Sequence, residues 1–171
     1  MNDTLTRFLV DVPGDILRGI LRKALFPLAD RYSTRSLRTA GLAIKAGGST
    51  LVKIGAADYY ASVQGKLVKK AAATDMPALA GTVSNAAFNV FCFFVDVAGT
   101  VTVAMGTAGA TLAAVKFPPI PEKKALIGFI IVNPTGTGDF VGGTTVLDDA
   151  TVVPNVVYVN ADGPFDPTVI L

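Results

Sequence analysis

Cys92-Phe93-Phe94-Val95-Asp96-Val97-Ala98-Gly99-Thr100-Val101-Thr102-Val103-Ala104-Met105-Gly106 decides how the chain is read. Two runs rich in β-branched and aromatic residues flank Asp96-Val97-Ala98-Gly99, a four-residue connection that ends in glycine. That is the pattern of a β-hairpin. It speaks of architecture and says nothing of a reaction.

Downstream, Phe117-Pro118-Pro119-Ile120-Pro121 is a stiff extended segment whose prolines cannot donate ladder hydrogen bonds, so it is expected along a sheet edge or between sheets. Ala125 to Val132 is apolar without interruption and reads as a buried strand. Asn133 to Gly138 is a loop, and Asp139 to Leu147 and Val152 to Val159 read as two further strands. Upstream, Leu42–Lys45 and Thr50–Ile54 flank Gly47-Gly48, and Tyr59–Val63 and Lys66–Lys69 flank Gln64-Gly65. Both are hairpin signals. Many short strands with Gly and Pro turns predict a mainly β fold, an antiparallel β-sandwich or jelly roll.

The first 38 residues differ. Ile16, Leu17, Ile20, Leu21, Ala24, Leu25 and Leu28 recur at helical spacing, with Arg18, Arg22 and Lys23 on the other side. Pro27 is expected to stop or kink this helix near Leu25, and Gly19 costs it about 1 kcal/mol relative to Ala, so the helix needs a surface to pack on. The predicted organisation is therefore a basic amphipathic helical arm over residues 1–38 and a β-sandwich domain over 39–171.

Charge separates along the chain. Residues 1–53 carry nine Lys or Arg against four Asp, net +5, whereas residues 125–171 carry five Asp and no basic residue, net −5. The overall +2 hides this polarity. A basic arm of this kind docks on an acidic protein surface, on anionic lipid or on nucleic acid. The partner-facing residues it nominates are Arg7, Arg18, Arg22, Lys23, Arg31, Arg35 and Arg38. Few aromatics lie among them, which argues against single-stranded nucleic acid, and protein is the preferred partner.

Composition narrows the chemistry. A chain of 171 residues can form one domain with a sizeable core, and 51% hydrophobic against 16% charged residues suggests that neighbours cover part of the surface. With no histidine, Ser-His-Asp and Cys-His nucleophile systems and His-ligated zinc are excluded. Cys92 is the single cysteine, set among phenylalanines with no cation to favour a thiolate, so it reads as a buried structural thiol. Glycines break the longest charge-free run, 97–115, against a membrane span, and Asp11, Pro13 and Asp15 break the early apolar region against a signal peptide.

Three groups of residues deserve weighing as sites. Gly136-Thr137-Gly138 with Gly142-Gly143 fits neither phosphate-loop spacing and is followed by no lysine, so it reads as turn chemistry. Asp139, Asp148, Asp149, Asp162 and Asp166 offer hard oxygen ligands for a divalent ion but lack the EF-hand pattern, so exposed turn residues are expected. Tyr59 and Tyr60 point to opposite faces of one strand, one toward the core and one toward an interface. No cofactor, metal or catalytic residue is expected.

Three motifs in order carry a family resemblance. Phe94 to Val103, then Phe117-Pro118-Pro119-Ile120-Pro121-Glu122-Lys123-Lys124-Ala125-Leu126-Ile127-Gly128, then Asp139-Phe140-Val141-Gly142-Gly143-Thr144-Thr145-Val146-Leu147-Asp148 resemble structural proteins of tailed bacteriophages, over roughly residues 40–160. The resemblance implies a non-enzymatic virion component, most like a capsid decoration or cement protein: a β-rich domain, trimeric, on the outer surface of the capsid over junctions between major capsid protein subunits. A head-fibre base or a tail component is the alternative, and a carboxylate-dependent glycan hydrolase a more distant one. The resemblance brings no site residues with it, and the N-terminal helix lies outside it.

Overall fold

A computed structural model describes residues 14–163. Among the described residues, the α-helix α1 (Gly14–Ser33) precedes eleven strands. These are β1 (Arg35–Ser36), β2 (Ala43–Ile44), β3 (Val52–Lys53), β4 (Tyr59–Val63), β5 (Lys66–Lys70), β6 (Thr82–Val83), β7 (Asn89–Val95), β8 (Val101–Met105), β9 (Ala125–Val132), β10 (Phe140–Val141) and β11 (Val157–Asn160). The main sheet has the order β11-β9-β7-β8, a second has β1-β4-β5, and β2-β3 and β10-β6 form two smaller pairs. Every pairing is antiparallel. The expectation of a mainly β, sandwich-like fold holds, and the sheets do not close into a barrel.

The opening hairpin is β7-β8, with Val95 opposite Val101. Asp96 closes its turn: its Oδ1 accepts from the amides of Ala98 and Thr100, both at 2.9 Å. The β4-β5 hairpin turns on Gln64 and Gly65, whose φ values of 52° and 75° are those of a two-residue primed turn.

β7 is the central element because all seven of its residues are buried. Successive side chains on a strand point to opposite faces, so it must be covered twice. Phe91, Phe93 and Val95 join Ile127, Ile130 and Val132 of β9 on one face, and there they meet Tyr59, Ala61 and Val63 of β4 and Val68 of β5. Val90, Cys92 and Phe94 face the other way with Leu126 and Phe129. The cover on that side is the connection after β8, which contributes Val115, Phe117 and Ile120. The proline-rich segment thus lies over a sheet face, where its rigid backbone holds Phe117 edge-on to Phe129 with ring centroids 4.9 Å apart.

A bulge reconciles β9 with both covers. Phe93 lies opposite Gly128 and Phe94 opposite Leu126, so Ile127 is the extra residue. One inserted residue reverses the alternation, which sends Phe129 to the Phe117 side and Ile130 to the β4 side. Gly128 is required at this point for space. A Cβ there would run into the carbonyl oxygen of Val159 on β11 and sit 2.8 Å from Leu42 Cδ1.

The structure adds to the sequence reading at three points. Of the two outcomes expected at Pro27, the stop does not occur: the helix continues to Ser33. A proline removes one N–H and its bond to the carbonyl four residues back, but later residues retain their own donors. Asp139–Leu147 and Val152–Val159 are strands only at Phe140–Val141 and Val157–Asn160. Between them side chains capture the backbone: Thr145 Oγ1 accepts from the Val141 amide at 2.9 Å and Asp149 Oδ1 from the Thr151 amide at 2.8 Å, and these local bonds compete with a ladder. Arg35 and Ser36, read from sequence as part of the arm, pair with Ser62 and Ala61 of β4.

Cys92 and Tyr59 give the core a pH dependence. Burial pushes the Cys92 thiol from an ordinary 9.0, and the Tyr59 hydroxyl from 10.0, each up to about 12. Both groups are neutral when protonated, so the unfolded chain loses these protons at lower pH than the folded one. Their contribution is complete below pH 9 and falls between pH 9 and 12, by about 1.4 kcal/mol per pH unit for each group in its range. Denaturant melts should show this alkaline loss, and Cys92→Ala should remove the part that begins nearest pH 9.

Candidate functional site

α1 is rooted in the β domain by its last turn. The Asp30 carboxylate accepts from the Lys123 amide at 3.2 Å and from Thr34 Oγ1 at 3.1 Å. The Ser33 carbonyl accepts from Ser62 Oγ at 2.8 Å and from the Gly65 amide at 3.1 Å, while Thr34 Oγ1 accepts from the Gln64 amide at 3.0 Å. These bonds satisfy orphan groups at the helix end with partners from the β4-β5 turn and from the segment before β9. Ser36, two residues on, is buried: its Oγ donates to the Leu126 carbonyl and accepts from the Tyr59 hydroxyl, both at 2.6 Å.

Beyond this root the described apolar side chains of the helix are uncovered. Ile16, Ile20, Leu21 and Leu25 are 54%, 49%, 46% and 54% exposed. At about 100° per residue these four span an arc of roughly 180°, and Arg18 and Lys23 fall at its two margins. Arg18 and Lys23 are themselves exposed, as are Arg35 and Arg38 beyond the root. Of the nominated residues, Arg7 lies outside the described residues, as do the side chains of Arg22 and Arg31.

The structure adds what the sequence reading missed, namely that Lys123 and Lys124 belong to the same end of the molecule. The Lys123 amide is held by Asp30, and Lys124 Nζ donates to Thr102 Oγ1 at 3.1 Å. They stand about ninety residues from the arm in sequence, so only pairing in space joins them to it.

The opposite end of β9 is acidic. Val132 leads into loops 133–153, which carry Asp139, Asp148 and Asp149 and no Lys or Arg. Each of the three braces a turn. Asp139 accepts from the Asn85 amide at 2.8 Å, Asp148 from the Gly48 amide at 3.0 Å, and Asp149 from Thr151 Oγ1 at 2.6 Å. The Thr151 hydroxyl and amide hold the Asp149 carboxyl below its ordinary range. Among the described residues no three of His, Cys, Asp and Glu gather as ligands for one metal ion. Asp166 lies outside them.

The glycine loop is likewise accounted for. Gly136 and Thr137 spend their amides on the carbonyls of Val152 and Thr151, at 3.3 Å and 2.7 Å, and a Cβ on Gly136 would collide with the Thr151 carbonyl. The loop is a backbone crossing whose donors are turned inward. Tyr59 is fully buried, whereas Tyr60 is half-buried with the Lys69 ammonium 6.0 Å from its ring centroid. Lys69 also pairs with Asp58 at 2.7 Å, and that contact holds the Asp58 carboxyl below its ordinary range.

Among the described residues no helix is long and apolar enough to cross a membrane. The chain matches no family model, and neither a curated protein nor a solved structure is similar to it.

Proposed function

We propose that the chain is a structural virion protein, a capsid decoration or cement protein that stabilises a shell of major capsid protein from its outer surface. One observation carries this reading: a helix with a half-exposed apolar arc and cationic margins stands on a β domain whose own core is closed. Such a helix gains stability by being covered. The order of motifs that resembles tailed-phage structural proteins supplies the kind of surface. Its action is mechanical, by adding contacts across several shell subunits, and its assembly as a trimer would multiply weak contacts through effective concentration. No reaction, cofactor or nucleic acid enters this reading.

Cross-linking of purified particles tests it. Lys123, exposed beside the helix root, is expected to link to the major shell protein. Absence of the chain from particles would overturn the proposal, and links to tail or fibre proteins alone would move it to that part of the virion.

A further inference from the structure

We propose that α1 of one copy docks on loops 133–153 of a second copy, so that the molecules associate head to tail. The inference takes from the reading above only that the arm is the docking element, and it assigns the neighbour as this same chain.

The helix sets the terms. Its arc of Ile16, Ile20, Leu21 and Leu25 is exposed, so it does not lie on the loops of its own copy. Arg18 and Lys23 at the margins demand an acidic counterpart, because the edges of an interface meet the partner's charges directly. Pairing α1 with the α1 of another copy would set cations against cations.

Loops 133–153 answer those terms. They hold three carboxylates and no cation. Each carboxylate is fixed by an internal hydrogen bond, which holds it in place before a partner arrives. Val141 within them is 40% exposed, and Val157, which pairs with Ile131 at the same end of β9, is 50% exposed, so that end offers apolar area as well as charge.

Topology makes the association directional. The helix root sits before the first residue of β9 and the acidic loops follow its last, so the two surfaces lie toward opposite ends of that strand. Two different surfaces that meet between copies form a heterologous interface, which closes into a ring or runs on as a filament.

Sedimentation of the full chain across a range of salt tests this with no shell protein present, so its failure and that of the capsid reading are separable. The wild type is expected to associate at low salt and to lose mass as salt rises. Arg18→Glu with Lys23→Glu, and separately Asp148→Lys with Asp149→Lys, should each weaken association at least tenfold while retaining the β circular-dichroism signature. Mixing the two variants should restore it, since each then offers the charge the other needs. If the loop variant fails to fold, Val141→Ser with Val157→Ser removes apolar contact from the same surface without changing its charge and should also weaken association. The inference is overturned by a wild-type monomer at 100 µM in low salt, or by association that strengthens with salt, the mark of helix-to-helix pairing. Failure of the mixture to reassemble, or a monomer that sediments with vesicles of anionic lipid, overturns it as well.

Discussion

Phe91→Ala should lower the free energy of unfolding by about 3–5 kcal/mol, a large share of what a domain of this size possesses. Phe91 is fully buried on the strand to which both covers attach, and its ring meets that of Phe140 edge-on with centroids 6.0 Å apart. Truncation removes the transfer term and leaves a void bounded by β7, by β9 and by the β10-β6 pair that carries Phe140. That void cannot collapse readily, because β7 is pinned on its opposite face by Val90, Cys92 and Phe94. Equilibrium melts in denaturant measure the loss. Leu67→Ala is the matched control, at a side chain 68% exposed, and should shift the midpoint little.

Gly128→Ala should cost about 3 kcal/mol for the addition of one methyl group. The obstacle is the backbone oxygen of Val159, which belongs to the strand paired with β9 and cannot turn aside as a side chain would. Accepting the methyl group forces β11 away and disturbs the bulge that assigns Phe129 and Ile130 to their faces. Gly19→Ala is the contrasting case. Nothing lies within 4 Å of the added atom, and the helix should gain up to about 1 kcal/mol. Thermal melts that show opposite shifts for the two alanines would support both accounts, and equal small shifts would refute the first.

Sequence conveyed the hairpins well. Gln64-Gly65 and Asp96–Gly99 carry their turn chemistry in adjacent residues, and the β-branched runs beside them have few other conformations to prefer. Ala125 to Val132 was equally legible as a buried strand, but its uniform apolarity hid the bulge, since a run without alternation carries no record of a reversed face. The long strands expected around Val146 failed because Thr145 and Asp149 bond locally, a competition that composition does not display. The covering role of Phe117 and Ile120 was also missed, as a proline-rich segment looks the same whether it follows an edge or crosses a face.

The candidate surface was legible in part. Helical spacing identified the exposed Arg18 and Lys23, whereas Lys123 joins them through Asp30 across ninety residues of chain. A basic helix face reads alike whatever it meets, so the acidic loops at the far end of β9 had to be located in space before they suggested a counterpart.

The root of α1 has a mechanical implication. A twenty-residue helix is a rod about 30 Å long, and the hydrogen bonds that tie this one to the β domain, among the described residues, cluster at one end. Tilting such a rod by ~10° at its fixed end carries the free tip through about 5 Å. The aim of the arm therefore depends on a collar made by the Asp30 carboxylate, the Ser33 carbonyl and the Thr34 hydroxyl, at the opposite end of the helix from its tip.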